Sequence, residues 1–142
     1  MTRSRALTLI EVLIIVIVLA ILAAVMTPQF TRASSDTRLT TLKAALLDVR
    51  AQIRLYHAQH ADRYPTLEAF IEQMTSYTSV DGRTSRHKTG EFDLGPYLSA
   101  IPVNPYTGGK RVGDGPAGAS AWYYDQATGL FRANHDPAFT AH

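Results

Sequence analysis

Three groups of residues in this 142-residue chain have the types and spacing to do chemistry. Glu11 is the one charge in an otherwise apolar run from Leu7 to Met26. His57 and His60 stand three apart, a spacing that puts two imidazoles on one helix face within reach of a shared metal ion. Asp114, Asp125 and Asp136 are separated by turn residues, a setting in which loop carboxylates can contribute to calcium, which takes roughly six to eight oxygens. No third ligand is fixed near the two histidines, and a packed histidine closing an apolar helix face is the plainer account of His60. The acidic set is sparse, with no dense Asp-x-Asp run. The rest of the catalytic vocabulary is missing. There is no cysteine, which excludes a thiol nucleophile, a thiolate zinc site and a disulfide framework. There is no Gly-x-Ser-x-Gly elbow, and the glycines around Gly108 lack the Lys-Ser/Thr ending of a phosphate-binding loop. These absences argue against an enzyme.

The element that holds Glu11 is legible. The 20 residues from Leu7 to Met26 carry one charge and one hydroxyl, that of Thr8. As a helix they reach roughly 30 Å, the thickness of a bilayer's hydrocarbon core. Arg3 and Arg5 before them hold the N-terminus in the cytoplasm and send the C-terminus outward. A carboxylate there costs about 3 kcal/mol to insert and calls for a cationic partner, which the segment lacks. Cleavage between Ala6 and Leu7 would create one: an α-amine four residues before Glu11, on the same helix face. A charged pair in apolar surroundings is tolerable where a lone charge is not. The competing account is an ordinary secretory signal, cut near Ala23 or Ala24 and releasing a secreted binding domain. The early carboxylate and the helical pattern that continues past the supposed cut both oppose it.

Ala6-Leu7-Thr8-Leu9-Ile10-Glu11-Val12-Leu13-Ile14 resembles the class III signal of type IV pilins and type II secretion pseudopilins. The resemblance implies cleavage after Ala6 by a prepilin peptidase, N-methylation of Leu7, and Glu11 as the assembly glutamate. Pro28 matches the proline at which the long helix of that family bends. Ala6 stands where glycine is usual and Leu7 where phenylalanine is usual.

Beyond Pro28 the helical pattern resumes. Leu39, Leu42, Leu46, Val49, Ile53, Tyr56 and His60 alternate three and four apart, which predicts one helix from about Leu7 to His60, disturbed at Pro28. The stripe ends after about three heptads, too short for a coiled coil and suited to the core of a head domain. Arg63-Tyr64-Pro65-Thr66 ends that helix and opens a shorter one with Leu67, Phe70, Ile71 and Met74 as its apolar face. Ser79 to Asp93 reads as an exposed polar loop with an Asp81-Gly82 turn and the basic run Arg83, Arg86 and Lys88. Ala121 to Asp125 and Leu130 to Ala133 read as two antiparallel strands joined by Asp125 to Gly129. Trp122, Tyr124 and Phe131 are expected to pack on the Leu46 to Tyr56 face.

The expected fold class is therefore α+β, a long N-terminal helix packed against a small C-terminal antiparallel sheet. Arg-Tyr-Pro after the helix, the Gly-Pro-Tyr and Asn-Pro-Tyr elements and the Trp-Tyr-Tyr hairpin resemble the major pseudopilin of type II secretion. That likeness implies a leader over 1–6, a transmembrane and filament-core helix over 7–27, and a periplasmic head over 28–142. It implies an inner-membrane protein, N-terminus inside, that enters a helical homopolymer driving protein export. Implied partners are identical subunits, minor pseudopilins, the prepilin peptidase, a platform protein with its assembly ATPase, and membrane lipid before assembly. A type IV pilin for adhesion, motility or DNA uptake is the alternative within the same class. The family gives calcium some support at Asp114, Asp125 and Asp136, and no cofactor is required. Losing Arg3 and Arg5 with the leader takes the 14 basic residues to 12, against 12 acidic ones. That neutral balance argues against nucleic acid as a partner.

Overall fold

The computed structural model describes residues 8–135, and side chains everywhere in that range except 25–33. The chain forms two compact units that divide between Thr37 and Arg38. Helix α1, Leu9–Gln59, crosses that boundary in sequence, so each unit is treated by itself.

In the first unit α1 begins with aliphatic side chains that are all at least about half exposed, Leu9 most at 86%. Among the described residues no helix is long and apolar enough to cross a membrane. The helix continues through Pro28, whose side chain lies outside the description.

In the second unit the expected stripe becomes the core. Leu42, Leu46, Val49, Ile53, Tyr56 and His60 are buried and Leu39 is half-buried, while Lys43, Asp48 and Arg54 stay exposed. Burial of each large apolar side chain stabilises by about 1.5–3 kcal/mol relative to exposure. α1 ends without glycine: Ala61 and Asp62 take left-handed backbone angles, φ 52° and 56°, and the Asp62 N–H donates to the His57 carbonyl at 3.1 Å. This bond satisfies one of the last open helix carbonyls.

Helix α2, Phe70–Thr75, follows and buries Phe70, Gln73 and Met74. Ile71, expected on its apolar face, is instead 48% exposed, and Leu67 is only half-buried against the core. So short a helix turns one narrow face inward, and the polar Gln73 occupies the place beside Phe70 and Met74. Its carbonyl oxygen accepts from the Thr66 N–H at 2.8 Å and its amide donates to the Gly82 carbonyl at 2.9 Å.

The segment expected as an exposed loop from Ser79 to Asp93 is ordered at its start. Strands β1, Tyr77–Thr78, and β2, Thr84–Ser85, pair antiparallel, and Thr78 and Ser79 are buried. Asp81 accepts from the Ser79 hydroxyl at 2.6 Å and from Arg83 Nε at 2.8 Å, and Arg83 also binds Glu91. These bonds hold the Asp81 carboxyl down at about 2.

The C-terminal sheet is mixed rather than purely antiparallel. Strand β4, Trp122–Asp125, pairs antiparallel with β5, Leu130–Ala133, and parallel with β3, Val112–Gly113. Trp122, Tyr124 and Phe131 are fully buried in one cluster with Leu46, Val49, Ile53 and Tyr56, as the sequence leads one to expect. Arg50 fastens helix to sheet, its Nε donating to the Phe131 carbonyl at 2.8 Å. The Asn-Pro-Tyr element locks the other side: buried Asn104 donates to the Ala121 carbonyl at 2.8 Å and accepts from the Tyr106 N–H at 2.9 Å.

Candidate functional site

The start of α1 is built by Thr8 and Glu11. Thr8 precedes the first helical residue, and its hydroxyl accepts from the Glu11 N–H at 3.3 Å. The Glu11 carboxylate turns back and accepts, at 3.5 Å, from the Thr8 N–H. Both residues are exposed. This is a capping box, Thr-x-x-Glu, in which two orphan donors of the first turn are satisfied reciprocally. An acidic group at this end also suits the positive end of the helix dipole. The sequence expectation for Thr8 goes no further than a hydroxyl in an apolar run, although the Thr-x-x-Glu spacing before aliphatic residues carries the signal of the cap. Ala6 and Leu7, the expected cleavage pair, lie outside the described residues. The Glu11 carboxylate nevertheless reaches Thr8, the residue next to Leu7.

The histidine pair does not converge on a metal. His60 is 1% exposed, with both ring nitrogens occupied: Nδ1 lies 2.8 Å from the Tyr56 carbonyl and Nε2 3.0 Å from Thr78 Oγ1. The carbonyl can only accept, so Nδ1 carries the proton and Nε2 takes the Thr78 hydroxyl's. The ring stacks on Tyr56, centroids 3.6 Å apart. Burial pushes the His60 pKa below its ordinary value, and nearby Arg63 adds to the effect. The same enclosure raises the Tyr56 phenol to about 12. His57 turns elsewhere, its ring tilted against that of Tyr64 with centroids 4.1 Å apart and its Nδ1 3.7 Å from Asp62. His60 is thus a structural pin between α1 and β1.

Two of the three acids do share a place. Asp114 and Asp125 line one cleft of about 260 Å³ with Leu67, Tyr123, Tyr124 and Gln126. Asp125 is already engaged, with one oxygen accepting from the Ala127 N–H at 2.9 Å and the other from the Thr128 hydroxyl at 2.7 Å. These bonds hold its carboxyl below the usual range, Thr128 contributing most. Asp136 lies outside the described residues. Among the described residues no group of three or more potential metal ligands forms.

Over 104 residues the chain is 26% identical to the type II secretion system core protein G of Pseudomonas aeruginosa, covering 73% of this chain and 69% of that one. Over 106 residues it is 22% identical to the protein of the same name from Klebsiella pneumoniae, covering 75% and 71%. The chain resembles the major pseudopilins of type II secretion. No family profile and no solved structure matches it. The pseudopilin likeness thus covers most of the chain, well beyond the N-terminal signal residues on which the sequence resemblance was tightest.

Proposed function

We propose that this chain is a structural subunit of a type II secretion pseudopilus, made as a precursor and polymerised into a helical filament that drives export. It is not an enzyme, as its relatives' role as secretion core proteins implies. The observation that carries the reading is the first turn of α1, where the one carboxylate of the aliphatic run bends back to the Thr8 N–H. Prepilin peptidase would cut between Ala6 and Leu7, remove Arg3 and Arg5, and leave an amine one peptide unit from that carboxylate. The peptidase would then methylate Leu7. Glu11 would pair with its own or a neighbour's amine and so select the docking register.

Before assembly the helix over 7–27 would hold the subunit in the inner membrane, N-terminus in the cytoplasm and head in the periplasm. On extraction by a platform protein and its ATPase, contacts between aliphatic helices would replace contacts with lipid. Minor pseudopilins would share the filament. In this scheme the subunit itself holds no cofactor; a methyl donor and ATP are consumed by the peptidase and the ATPase. The relatives' names favour a secretion filament over a type IV pilus for motility or DNA uptake.

Mass spectrometry of the mature N-terminus tests the scheme. The expected first residue is N-methylated Leu7. A first residue near Val25 would mean an ordinary signal peptide and a secreted domain, and an uncleaved Met1 in normal filaments would remove the role of the new amine.

A further inference from the structure

The head carries two exposed apolar surfaces whose charged edges match one another. The first is the side of α1 turned away from the core. Leu47 is 67% exposed and Leu55 45%, and Ala44, Ala51 and Ala58 join them in an exposed row spaced three and four apart. At 100° per residue this row lies opposite the buried Leu42 to Tyr56 stripe. Asp48 flanks it on one side, Lys43 and Arg54 on the other, all exposed. The second surface is an open groove of about 470 Å³ along α2, with Ile71, Thr75, Ala100 and Ile101 in its lining. Lys110 and Arg111 line it as well, and two exposed acids stand close to Ile71 in sequence, Glu68 in the turn before α2 and Glu72 on α2. Among the described residues none of these seven charges forms an ion pair within the chain.

We infer that the outer face of α1 in one subunit seats in the α2 groove of the next, with Arg54 toward Glu72 and Asp48 toward Lys110 and Arg111. The occupant is a second copy of this chain, because each surface supplies the apolar centre and the opposite charges that the other needs. A helix lying in an apolar groove is a recurrent recognition mode, with charged edges fixing its register. The two surfaces differ, so the contact is heterologous, and a repeated heterologous contact that does not close builds an open helical filament. This inference rests on the pseudopilin reading and specifies which head surfaces meet.

The test uses the full chain in cells that assemble it, and the absence of native cysteine makes cross-linking clean. Leu55→Cys with Ile71→Cys in one chain is expected to give a ladder of disulfide-linked oligomers in sheared filaments, while each single variant gives monomer only. Filaments from the double variant without a ladder overturn the surface pairing and leave the subunit role standing. Dimers from Leu55→Cys alone indicate a symmetric contact and also overturn it. Charge exchange gives an independent arm: Glu72→Arg is expected to lower the filament yield several-fold, and added Arg54→Glu to restore it. A yield that stays low in the double exchange, with the subunit still inserted and folded, counts against the pairing. A wild-type chain that forms no filament removes the subunit reading and this contact together.

Discussion

Glu11 combines a local role with a distant one, and the two can be separated by substitution. Locally it caps α1 by reaching back to the Thr8 N–H. In the assembled state its charge would pair with an amine. Glutamine at the third helical position caps as glutamate does but carries no charge. Glu11→Gln, like Glu11→Ala, is therefore expected to insert in the membrane yet fail to assemble, with the glutamine variant still starting its helix normally. Thr8→Ala, which removes a cap worth about 1 kcal/mol, is expected to lower filament yield without abolishing it. Sheared-filament yield against membrane-bound subunit measures all three, and normal filaments from Glu11→Gln would reject the charge argument. His60 gives a prediction of another kind. Its ring is neutral and fully hydrogen-bonded in the fold, faced by Tyr56, Tyr97, Arg63 and the Asp81 carboxylate, and its pKa is depressed. The unfolded chain takes up a proton near pH 6.5 that the folded ring resists. The stabilisation is therefore complete above that pH and is lost as pH falls below it, with a slope of at most about 1.4 kcal/mol per pH unit. Urea unfolding of the full chain in detergent, followed by the fluorescence of buried Trp122, should show a lower midpoint at pH 5 than at pH 7. His60→Asn should flatten that difference; an unchanged difference would assign it to other groups.

At the level of elements the β4–β5 hairpin is the most sensitive join. Gly129 closes it with φ +71°, its N–H donating to the Asp125 carbonyl at 2.9 Å, and a Cβ there would run into the Tyr64 ring. Gly129→Ala must accept a left-handed backbone and displace an aromatic ring packed against the core. A loss of at least about 1 kcal/mol is expected, read from the same urea midpoint. A midpoint equal to wild type would mean that the turn relaxes freely. This hairpin was legible in the sequence because aromatic and aliphatic alternation flanks a short Asp-to-Gly turn. The core face of α1 was legible for a similar reason: the spacing from Leu39 to His60 repeats long enough to fix one face. Strand β3 was not, since Val112–Gly113 is two residues long and pairs in parallel with a strand about ten residues away. Partnerships of buried polar groups were equally hidden. Thr78 with His60 and Asn104 with the Ala121 carbonyl each join residues 17 or 18 apart in the chain, which no local pattern encodes. Ile71 was misassigned because one turn and a half of helix is too short for periodicity to choose between faces. Of the candidate site, the glutamate was visible through its cost in an apolar run. The reciprocal cap that orients it required the coordinates.

Among the described residues, those that build the core separate along the sequence from the exposed aliphatic run at the start of α1. Every buried apolar residue of the core lies between Leu42 and Ala133, and the compact unit that contains them starts at Arg38. The aliphatic side chains from Leu9 to Leu22 are exposed. In the proposed pseudopilus their burial would come from lipid first and from neighbouring subunits afterwards. A large exposed apolar surface of this kind marks an interaction region rather than a folding element. If that division is real, a chain of residues 34–142 loses no core contact. It is expected to be soluble and monomeric, with Trp122 as shielded as in the full chain and a similar urea midpoint, the first turns of its shortened helix fraying without cost to the core. It should also fail to enter filaments when expressed beside the wild type. Sedimentation gives the mass, fluorescence the packing, and filament composition the assembly. Aggregation or an exposed tryptophan would show that the head draws stability from the aliphatic helix. Incorporation into filaments would show that head contacts suffice for polymerisation, and would move the driving force from the apolar helix to the surfaces around α1 and α2.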